Sequence, residues 1–349
     1  MSAVIEASAV AAPVLDVQDL HVEFDTYGGI VKAVRGVSFS VAKGKTLAIV
    51  GESGCGKSVS VQSIMGLIPT PPGRITRGTA LLGGVDIIRQ KIVDGHDVRG
   101  SRIGMIFQDP MSSLNPTMKV GNQIAETLVV HRGYSHTQAA ARAVELLASV
   151  NIPEPERRAQ QYPFAFSGGM LQRAMIAMAI ACEPEILIAD EPTTALDVTI
   201  QAQILDLLKE LQKKQGMAIV LITHDLGVVA RMADEVVVMY AGEIVEHGTA
   251  DDVFYSAAHP YTVGLRSAMP SRDTSRAGLV PIEGAPPDLF APPQGCAYFA
   301  RCPHAMLLCE NQHPPPFVVS PRHSARCWLH HADAPPRAPL QRGGKQWRR

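Results

Sequence analysis

The sequence predicts an α/β fold around a mostly parallel sheet, and three observations support this prediction. Short, continuous apolar runs have the composition of strands buried on both faces of a sheet. They cover residues 46–50, 186–189, 218–223 and 235–240. Helix-favouring segments alternate with these runs, as is typical of a parallel sheet; they cover residues 58–68, 168–181 and 200–212. Thirdly, a glycine-rich segment at 51–58 joins the first run to the first helix.

Two segments outside this alternation predict additional subdomains. Residues 15–24 alternate between apolar and polar side chains, which predicts a half-buried strand. A glycine-containing turn at 27–29 leads from it to a second strand at 37–41, so an antiparallel β subdomain is expected here. Residues 117–161 lack any strand pattern and favour helix, which predicts a helical subdomain within about 110–165.

The composition excludes several classes of protein. The chain has 349 residues and a formal net charge of −1, so no overall basic character indicates a nucleic-acid partner. The longest apolar run, Ala174 to Cys182, is far shorter than the ~20 residues that a membrane span requires. No Lys or Arg precedes Lys32, unlike in a secretory signal. The protein is therefore expected to be soluble and cytoplasmic.

Changes in composition divide the chain into four expected parts. Residues 1–13 are expected to be a flexible leader, and residues 14–260 the main α/β domain. A Pro-rich stretch then introduces a Cys-rich C-terminal extension at 261–330. Residues 331–349 have the composition of a disordered tail.

The segment GESGCGKS at 51–58 is a full match to the phosphate-binding loop G-x-x-x-x-G-K-[ST]. Its glycines allow backbone N–H groups to turn toward phosphate oxygens at the start of a helix. Lys57 can reach the β- and γ-phosphates of ATP, and the Ser58 hydroxyl can bind Mg²⁺. The residues predicted to contact nucleotide are Gly51, Ser53, Gly54, Cys55, Gly56, Lys57 and Ser58.

Three later segments give this loop a more specific context: SGGMLQR at 167–173, ILIADEP at 186–192 and ITHD at 222–225. In this order they resemble the ATP-binding-cassette (ABC) family, and the resemblance covers roughly residues 14–260. It implies a nucleotide-binding domain of the P-loop NTPase type that hydrolyses ATP with Mg²⁺.

The resemblance also implies roles for individual residues. Asp190 would hold Mg²⁺ through a water molecule, and Glu191 would be the base that polarises the attacking water. His224 would contact the γ-phosphate. Gln108 would bind Mg²⁺ and link the site to the helical subdomain, and Asp197 would contact a partner subunit.

The segment from Ser167 to Met170 corresponds to the signature of the family. Ser167, Gly168, Gly169 and Met170 would face an ATP held by the phosphate loop of a second subunit, so that two ATP molecules lie between two subunits. Tyr27 is the candidate for stacking on the adenine, with Phe24 as its rival.

The chain departs from the family pattern just before and after the signature. Phe164 and Ala165 stand where the family usually has His-Glu, and Leu171 stands where it usually has Arg. These changes remove two polar groups and a cation that we expect beside the bound phosphate.

Three segments narrow the resemblance to the ATPases of bacterial oligopeptide and dipeptide importers, a group that includes nickel importers. They are residues 66–78, 107–126 and 190–205. The resemblance implies a second, non-identical ATPase, two membrane permease subunits and a solute-binding protein as partners, at the cytoplasmic face of the membrane. Import of nickel or another small solute is the alternative. A soluble ABC ATPase acting on ribosomes or DNA is a further rival, but the single cassette disfavours it.

Four cysteines of the extension are spaced C-x₅-C-x₆-C-x₁₇-C: Cys296, Cys302, Cys309 and Cys327. They resemble the extension of the same importer group, which implies a [4Fe–4S] cluster. Four thiolates suit zinc as well, and unligated thiols are a third reading. Alternative ligands, or else surface residues, are His304, His313, His323 and His330.

Overall fold

The computed structural model describes residues 12–90, 92–93, 96–194, 196–268 and 281–335. Residues 1–11 of the expected leader and residues 336–349 of the expected tail therefore lie outside the described residues.

The strands, in chain order, are β1 (Pro13–Thr26), β2 (Gly29–Ala42), β3 (Thr46–Val50), β4 (Gly73–Leu82), β5 (Val85–Asp86), β6 (Ile92–Val93), β7 (His96–Asp97), β8 (Ile103–Ile106), β9 (Ile186–Asp190), β10 (Ala218–Ile222), β11 (Glu235–Tyr240), β12 (Glu243–Thr249), β13 (Phe317–Ser320) and β14 (His323–Ala325). The helices are α1 (Lys57–Ile64), α2 (Val98–Ser101), α3 (Pro110–Ser113), α4 (Val120–Arg132), α5 (His136–Ser149), α6 (Pro155–Ala159), α7 (Gly168–Ala179), α8 (Val198–Gln215), α9 (Leu226–Met232), α10 (Ala250–Tyr255), α11 (Pro260–Ser267) and α12 (Leu307–Asn311). Short 3₁₀ turns cover Pro163–Ala165, Phe299–Arg301 and Trp328–His330.

The predicted parallel sheet is present at the centre of an eight-stranded sheet with the order β13-β14-β12-β11-β3-β10-β9-β8. Strands β11, β3, β10, β9 and β8 are mutually parallel. Every residue of β3, β9 and β10 is buried, which explains their uninterrupted apolar sequences. Ile222 lies opposite Ile49 on one side and Asp190 on the other, so these three strands end side by side.

The antiparallel sheet predicted near the N-terminus has the strand order β2-β1-β4-β5. Its first hairpin turns at Tyr27–Gly28, but β2 begins at Gly29, well before the predicted start at residue 37. The apolar face of this sheet packs with α1 and one face of the central sheet in a common core.

Helices α3 to α6 lie in the segment where a helical subdomain is predicted, and helices α4 to α7 (the helical region) pack on the central sheet in a second core. Ser135 immediately precedes helix α5, and its side chain forms a capping box with Gln138. None of the helices in the described ranges combines the length and apolar character needed to cross a bilayer.

The C-terminal extension is built into the central sheet. Strand β14 pairs with β12, the last strand of the main domain, and β13 pairs with β14. Ala297 and Tyr298 share a third core with residues of β3 and β11. The extension and the main domain are thus continuous through both hydrogen bonds and apolar packing.

Candidate active site

The phosphate loop leaves the end of β3 and leads directly into α1. Gly51 has a φ of 155°, and a Cβ there would clash with the main-chain oxygen of Met239 in β11. Gly56 has a φ of 100°, and a Cβ there would meet the main-chain oxygen of Ala33. Only glycine therefore allows the loop to lie this close to its neighbours. At the tip of the loop, Ser53 and Gly54 are exposed.

Lys57 lies along the inner side of this loop and is almost completely buried. Its ammonium group donates to the main-chain oxygens of Gly51, at 2.8 Å, and Glu52, at 2.9 Å. The Cys55 sulfur lies 3.9 Å from the same nitrogen, and burial raises the pKa of this thiol. The cation is thus held at the position where the loop would receive phosphate oxygens.

The magnesium ligands expected on α1 and β9 meet in the structure. The Ser58 hydroxyl donates to the Asp190 carboxylate at 2.8 Å. Burial raises the pKa of Asp190, although the Ser58 hydrogen bond opposes the rise. A hydroxyl and a carboxylate in contact form an oxygen donor set that suits Mg²⁺, so the residues present fit this ion.

Glu191 is the centre of the site, because three side chains converge on its carboxylate. Gln108 donates from its amide at 3.1 Å, and the Thr194 hydroxyl donates at 2.9 Å, both to Oε2. His224 Nδ1 lies 3.2 Å from Oε1. These residues come from the ends of β8, β9 and β10, which the parallel sheet brings to one edge.

The electrostatic balance at Glu191 favours the carboxylate form. Burial acts to raise its pKa, but the hydrogen bonds from Thr194 and His224, together with the charge of Lys57, outweigh burial, and the pKa lies below its ordinary value. Its backbone also has a φ of 48°, a left-handed conformation that costs a non-glycine residue about 1–3 kcal/mol. The surrounding sheet thus holds a charged side chain on a strained backbone at the end of β9.

The signature segment begins α7 on the surface. The Ser167 side chain caps the helix and accepts from the Met170 N–H at 3.4 Å, while Ser167 and Gly168 are exposed. Gly169 packs near Ile200 of α8. The exposed hydroxyl and glycines at a helix N-terminus can receive an anion from outside this chain.

Two other predicted contact residues also lie on the surface. Tyr27 is fully exposed at the β1–β2 turn, whereas its rival Phe24 is partly buried and packs on the core. Asp197 caps α8 by accepting from the Ile200 N–H at 2.9 Å. Both Tyr27 and Asp197 are therefore available to groups outside the chain.

The expectation for Leu171 is wrong. Its side chain is 2% exposed and packs in the core of the helical region, because this position faces inward on α7. Its replacement of Arg therefore removes no cation from the exposed surface around Ser167. Phe164, in contrast, is exposed and stacks on Tyr162 with ring centroids 5.7 Å apart.

The four cysteines of the extension line one small cavity, together with His259 and His304. The cavity volume is about 10 Å³, which is room for about one water molecule. Among the described residues, no group of three or more His, Cys, Asp or Glu side chains is placed to hold a metal ion. The four thiols thus surround one cavity, which suits the donor set of a four-iron cluster, but the space between them is too small for the cluster.

The chemistry of this cavity nevertheless includes a buried donor. His259 Nδ1 accepts from the Tyr261 N–H at 3.1 Å, and burial lowers the pKa of His259 to about 4. The neutral ring therefore carries its proton on Nε2, which is buried and has no hydrogen-bond partner in the described residues. Of the alternative histidine ligands, only His304 lines the cavity; His323 is buried and pairs with Glu246 at 2.7 Å.

The sequence did not reveal two sets of neighbours of the site. Thr194 could have been found from its place three residues after Glu191 in the DEPTT segment. The second set surrounds Glu52 in the phosphate loop and includes Tyr261 and Arg301. No local sequence pattern indicates this second set, because Arg301 lies 249 residues from Glu52 in sequence.

Two parts of this chain match known protein families, and most of its length is similar to known transport proteins. Residues 34–194 match the family described as ABC transporter, and residues 245–309 match the oligopeptide/dipeptide transporter C-terminal region. The chain is 55% identical to the dipeptide transport ATP-binding protein DppD of Bacillus subtilis, covering 90% of this chain and 94% of the relative. It is 58% identical to the oligopeptide transport ATP-binding protein OppD of the same organism, covering 92% and 90%.

Solved structures resemble this chain over about two thirds of its length. A dimeric bacterial ABC transporter cassette superimposes with a TM-score of 0.60 at 27% identity, covering 68% of this chain and 98% of that one. A dimeric cassette in a post-hydrolysis state, bound to ADP and Pi, gives a TM-score of 0.56 at 26% identity, with the same coverage.

Proposed function

The chain belongs to the ABC transporter family of ATP-binding proteins and is an ATPase, and from this premise we propose that it energises the import of dipeptides or oligopeptides. The match of residues 245–309 to the peptide-transporter C-terminal region supports peptides over other solutes. Import of nickel or another small solute is the alternative.

The observation that carries the catalytic part of the proposal is the carboxylate of Glu191, ionised and held by Gln108, Thr194 and His224. A fixed, charged base can orient and deprotonate the water that attacks the γ-phosphate, and such groups contribute about 10²–10⁴-fold in rate. The neighbouring Ser58 and Asp190 would hold Mg²⁺, which neutralises phosphate charge when bound.

Lys57 and the loop glycines would bind the β- and γ-phosphates in the same site. The Lys57 ammonium would exchange its contacts with the main-chain oxygens of Gly51 and Glu52 for phosphate oxygens. His224 would bind the γ-phosphate, and its contact with Glu191 would couple the position of this carboxylate to the presence of the γ-phosphate. Gln108 contacts Glu191 and precedes the helical region. It would therefore couple the presence of the γ-phosphate to the position of the helical region, and through that region to a membrane subunit.

A second subunit would complete each ATP site. The exposed Ser167 and Gly168 are suited to an ATP bound on the partner, and the exposed Asp197 to a contact across the dimer. The proposed assembly contains a second, non-identical ATPase, two membrane permeases and a solute-binding protein, with this chain at the cytoplasmic face. Closure of the dimer on ATP, followed by hydrolysis and reopening, would drive transport.

Reconstituted transport tests this proposal. The complete transporter in proteoliposomes, with its solute-binding protein, should hydrolyse ATP faster when dipeptides or oligopeptides are added. Stimulation by Ni²⁺ but not by peptides would favour the alternative substrate. ATP hydrolysis unaffected by any solute or by the permeases would contradict a transport role and favour a soluble ABC ATPase.

We further propose that the four cysteines of the extension bind a [4Fe–4S] cluster, with zinc as the alternative. The shared cavity and the buried Nε2–H of His259, which can donate to a sulfur, support this proposal. The cavity must widen to admit four irons. Anaerobically purified protein should contain about four irons and four acid-labile sulfides per chain. One zinc without sulfide would favour zinc, and neither would reject both.

A further inference from the structure

An ion pair between a buried arginine and a partly buried glutamate connects the C-terminal extension to the phosphate loop. The guanidinium of Arg301 donates to both carboxylate oxygens of Glu52, from one nitrogen at 2.8 Å and from the other at 3.1 Å. The Arg301 side chain is only 5% exposed. Glu52 is the second residue of the 51–58 loop. A residue of the extension therefore pairs with the loop that would bind the phosphates.

The remaining donors of Arg301 fix its position. They reach the main-chain oxygens of Ile282, at 3.2 Å, and Glu283, at 3.0 Å, and the Tyr240 hydroxyl at 3.2 Å. The guanidinium also lies 5.8 Å from the centre of the Tyr240 ring. Such a fork, held by several acceptors, has little freedom to leave the carboxylate.

The main chain of Glu52 is held as firmly as its side chain. Its N–H donates to the buried hydroxyl of Tyr261 at 2.8 Å, and its main-chain oxygen accepts from Lys57 at 2.9 Å. The rings of Tyr240, Tyr261 and Tyr298 pack on one another with centroids 4.5–5.4 Å apart. Glu52 therefore connects Lys57, which is proposed to bind phosphate, to a rigid aromatic cluster.

A free carboxylate at Glu52 would oppose nucleotide binding in two ways. Its charge would repel the phosphates of ATP, because like charges at short range inside a protein interact strongly. A loop without its anchor would also spend only part of its time in the shape that binds, and the apparent affinity falls by that fraction. The bidentate pair with Arg301 removes both effects.

We propose that Arg301 is a positioning residue for ATP binding, which holds the phosphate loop through Glu52 and neutralises the charge of this carboxylate. The proposal rests on residues 51–58 being the nucleotide site. It makes the extension a required part of that site, independently of any metal bound by its cysteines.

Titration of the full-length chain with a fluorescent ATP analogue and Mg²⁺ tests this proposal, together with ATPase assays on the assembled complex. Arg301→Ala should raise the Kd for nucleotide and the KM for ATP about tenfold, as for a loop that is competent about a tenth of the time, with a smaller change in kcat. Arg301→Lys keeps the charge but loses the fork, and should fall between wild type and Arg301→Ala.

The double variant Arg301→Ala/Glu52→Gln gives the sharper test. Since it has no unpaired carboxylate, it should bind nucleotide more tightly than Arg301→Ala alone. Glu52→Gln alone keeps an acceptor for Arg301 and should stay within about threefold of wild type. If Arg301→Ala fails to fold, Glu52→Gln and Arg301→Lys still test the order of affinities.

A matched control is Arg102→Ala. Arg102 also forms a two-nitrogen contact with a carboxylate, that of Glu185, but at the opposite end of the central strands. It should lower thermal stability without changing the Kd. A melting temperature lowered by Arg301→Ala with the Kd within twofold of wild type would overturn the proposal. So would equal affinities of the double variant and Arg301→Ala. Unchanged binding in Lys57→Ala would instead refute the nucleotide site itself.

Discussion

Replacing Glu191 with Gln isolates the contribution of one negative charge at the site. The amide keeps the shape of the side chain and can still accept from Thr194, but it cannot take a proton from water. Loss of a positioned base costs about 10²–10⁴-fold in rate, which corresponds to about 2.7–5.4 kcal/mol in the activation barrier. Stability should change by no more than about 1–3 kcal/mol, since Gln retains part of the hydrogen-bond network around Gln108 and His224.

The assay is ATP hydrolysis by the assembled transporter, with nucleotide binding measured on the same preparations. Glu191→Gln should lose hydrolysis by at least a hundredfold, bind ATP as well as wild type and accumulate as closed dimers. Glu183→Gln is the matched control, because Glu183 is an exposed glutamate that also has a left-handed backbone, with a φ of 50°. Hydrolysis by Glu191→Gln within tenfold of wild type would refute the role of Glu191 as the base.

Three further predictions concern protonation, the loop backbone and the adenine. The lowered pKa of Glu191 means that its ionised form stabilises the fold above the ordinary pKa of about 4.3. The difference in unfolding free energy between wild type and Glu191→Gln should therefore not decrease from pH 8 to about pH 5.5 and should shrink only at lower pH; a decrease between pH 7 and 6 would contradict the assigned shift. Gly51→Ala should cost about 1–3 kcal/mol in unfolding free energy and abolish ATP binding, because its Cβ meets a main-chain oxygen of β11; a variant that melts and binds like wild type would exclude the close approach. Tyr27→Ala should weaken ATP binding by about 1–3 kcal/mol with no loss of stability, whereas Tyr27→Phe should bind normally; equal affinity in all three proteins would remove Tyr27 from the site.

The sequence was sufficient to predict the edge of the sheet at which the site forms. Uninterrupted apolar runs identified β3, β9 and β10, and parallel strands necessarily bring their carboxyl ends to the same edge. The proximity of Ser58 to Asp190 and of Glu191 to His224 follows from this geometry. Local sequence is enough here because the decisive residues lie within a few positions of a strand end.

The face that a helix buries was harder to predict than the positions of the buried strands. Leu171 follows the signature directly, and Ser167 and Gly168 of that signature are exposed, but the inward face of α7 is set by packing on the rest of the helical region. The sequence also predicts that the first helix extends to residue 68, whereas α1 ends at Ile64. Propensity alone does not determine where tertiary contacts stop a helix.

The extension shows why contacts between residues distant in sequence cannot be predicted from local sequence patterns. A Pro-rich, Cys-rich segment has the composition of an addition to a finished domain, but three interactions make it part of the domain. Its strand β14 covers the edge of β12. His323 pairs with Glu246, which is completely buried and also accepts from the N–H groups of Ala258 and His259.

The third interaction is the pairing of Arg301 with Glu52. Without Arg301, the 24% exposed Glu52 would lose its ion-pair partner, and without His323, the completely buried Glu246 would lose one of its hydrogen-bond partners. The extension therefore supplies partners to two acidic residues of the main domain. The segment proposed to bind phosphate therefore depends on a contact beyond the ABC transporter match at 34–194, because Arg301 pairs with Glu52.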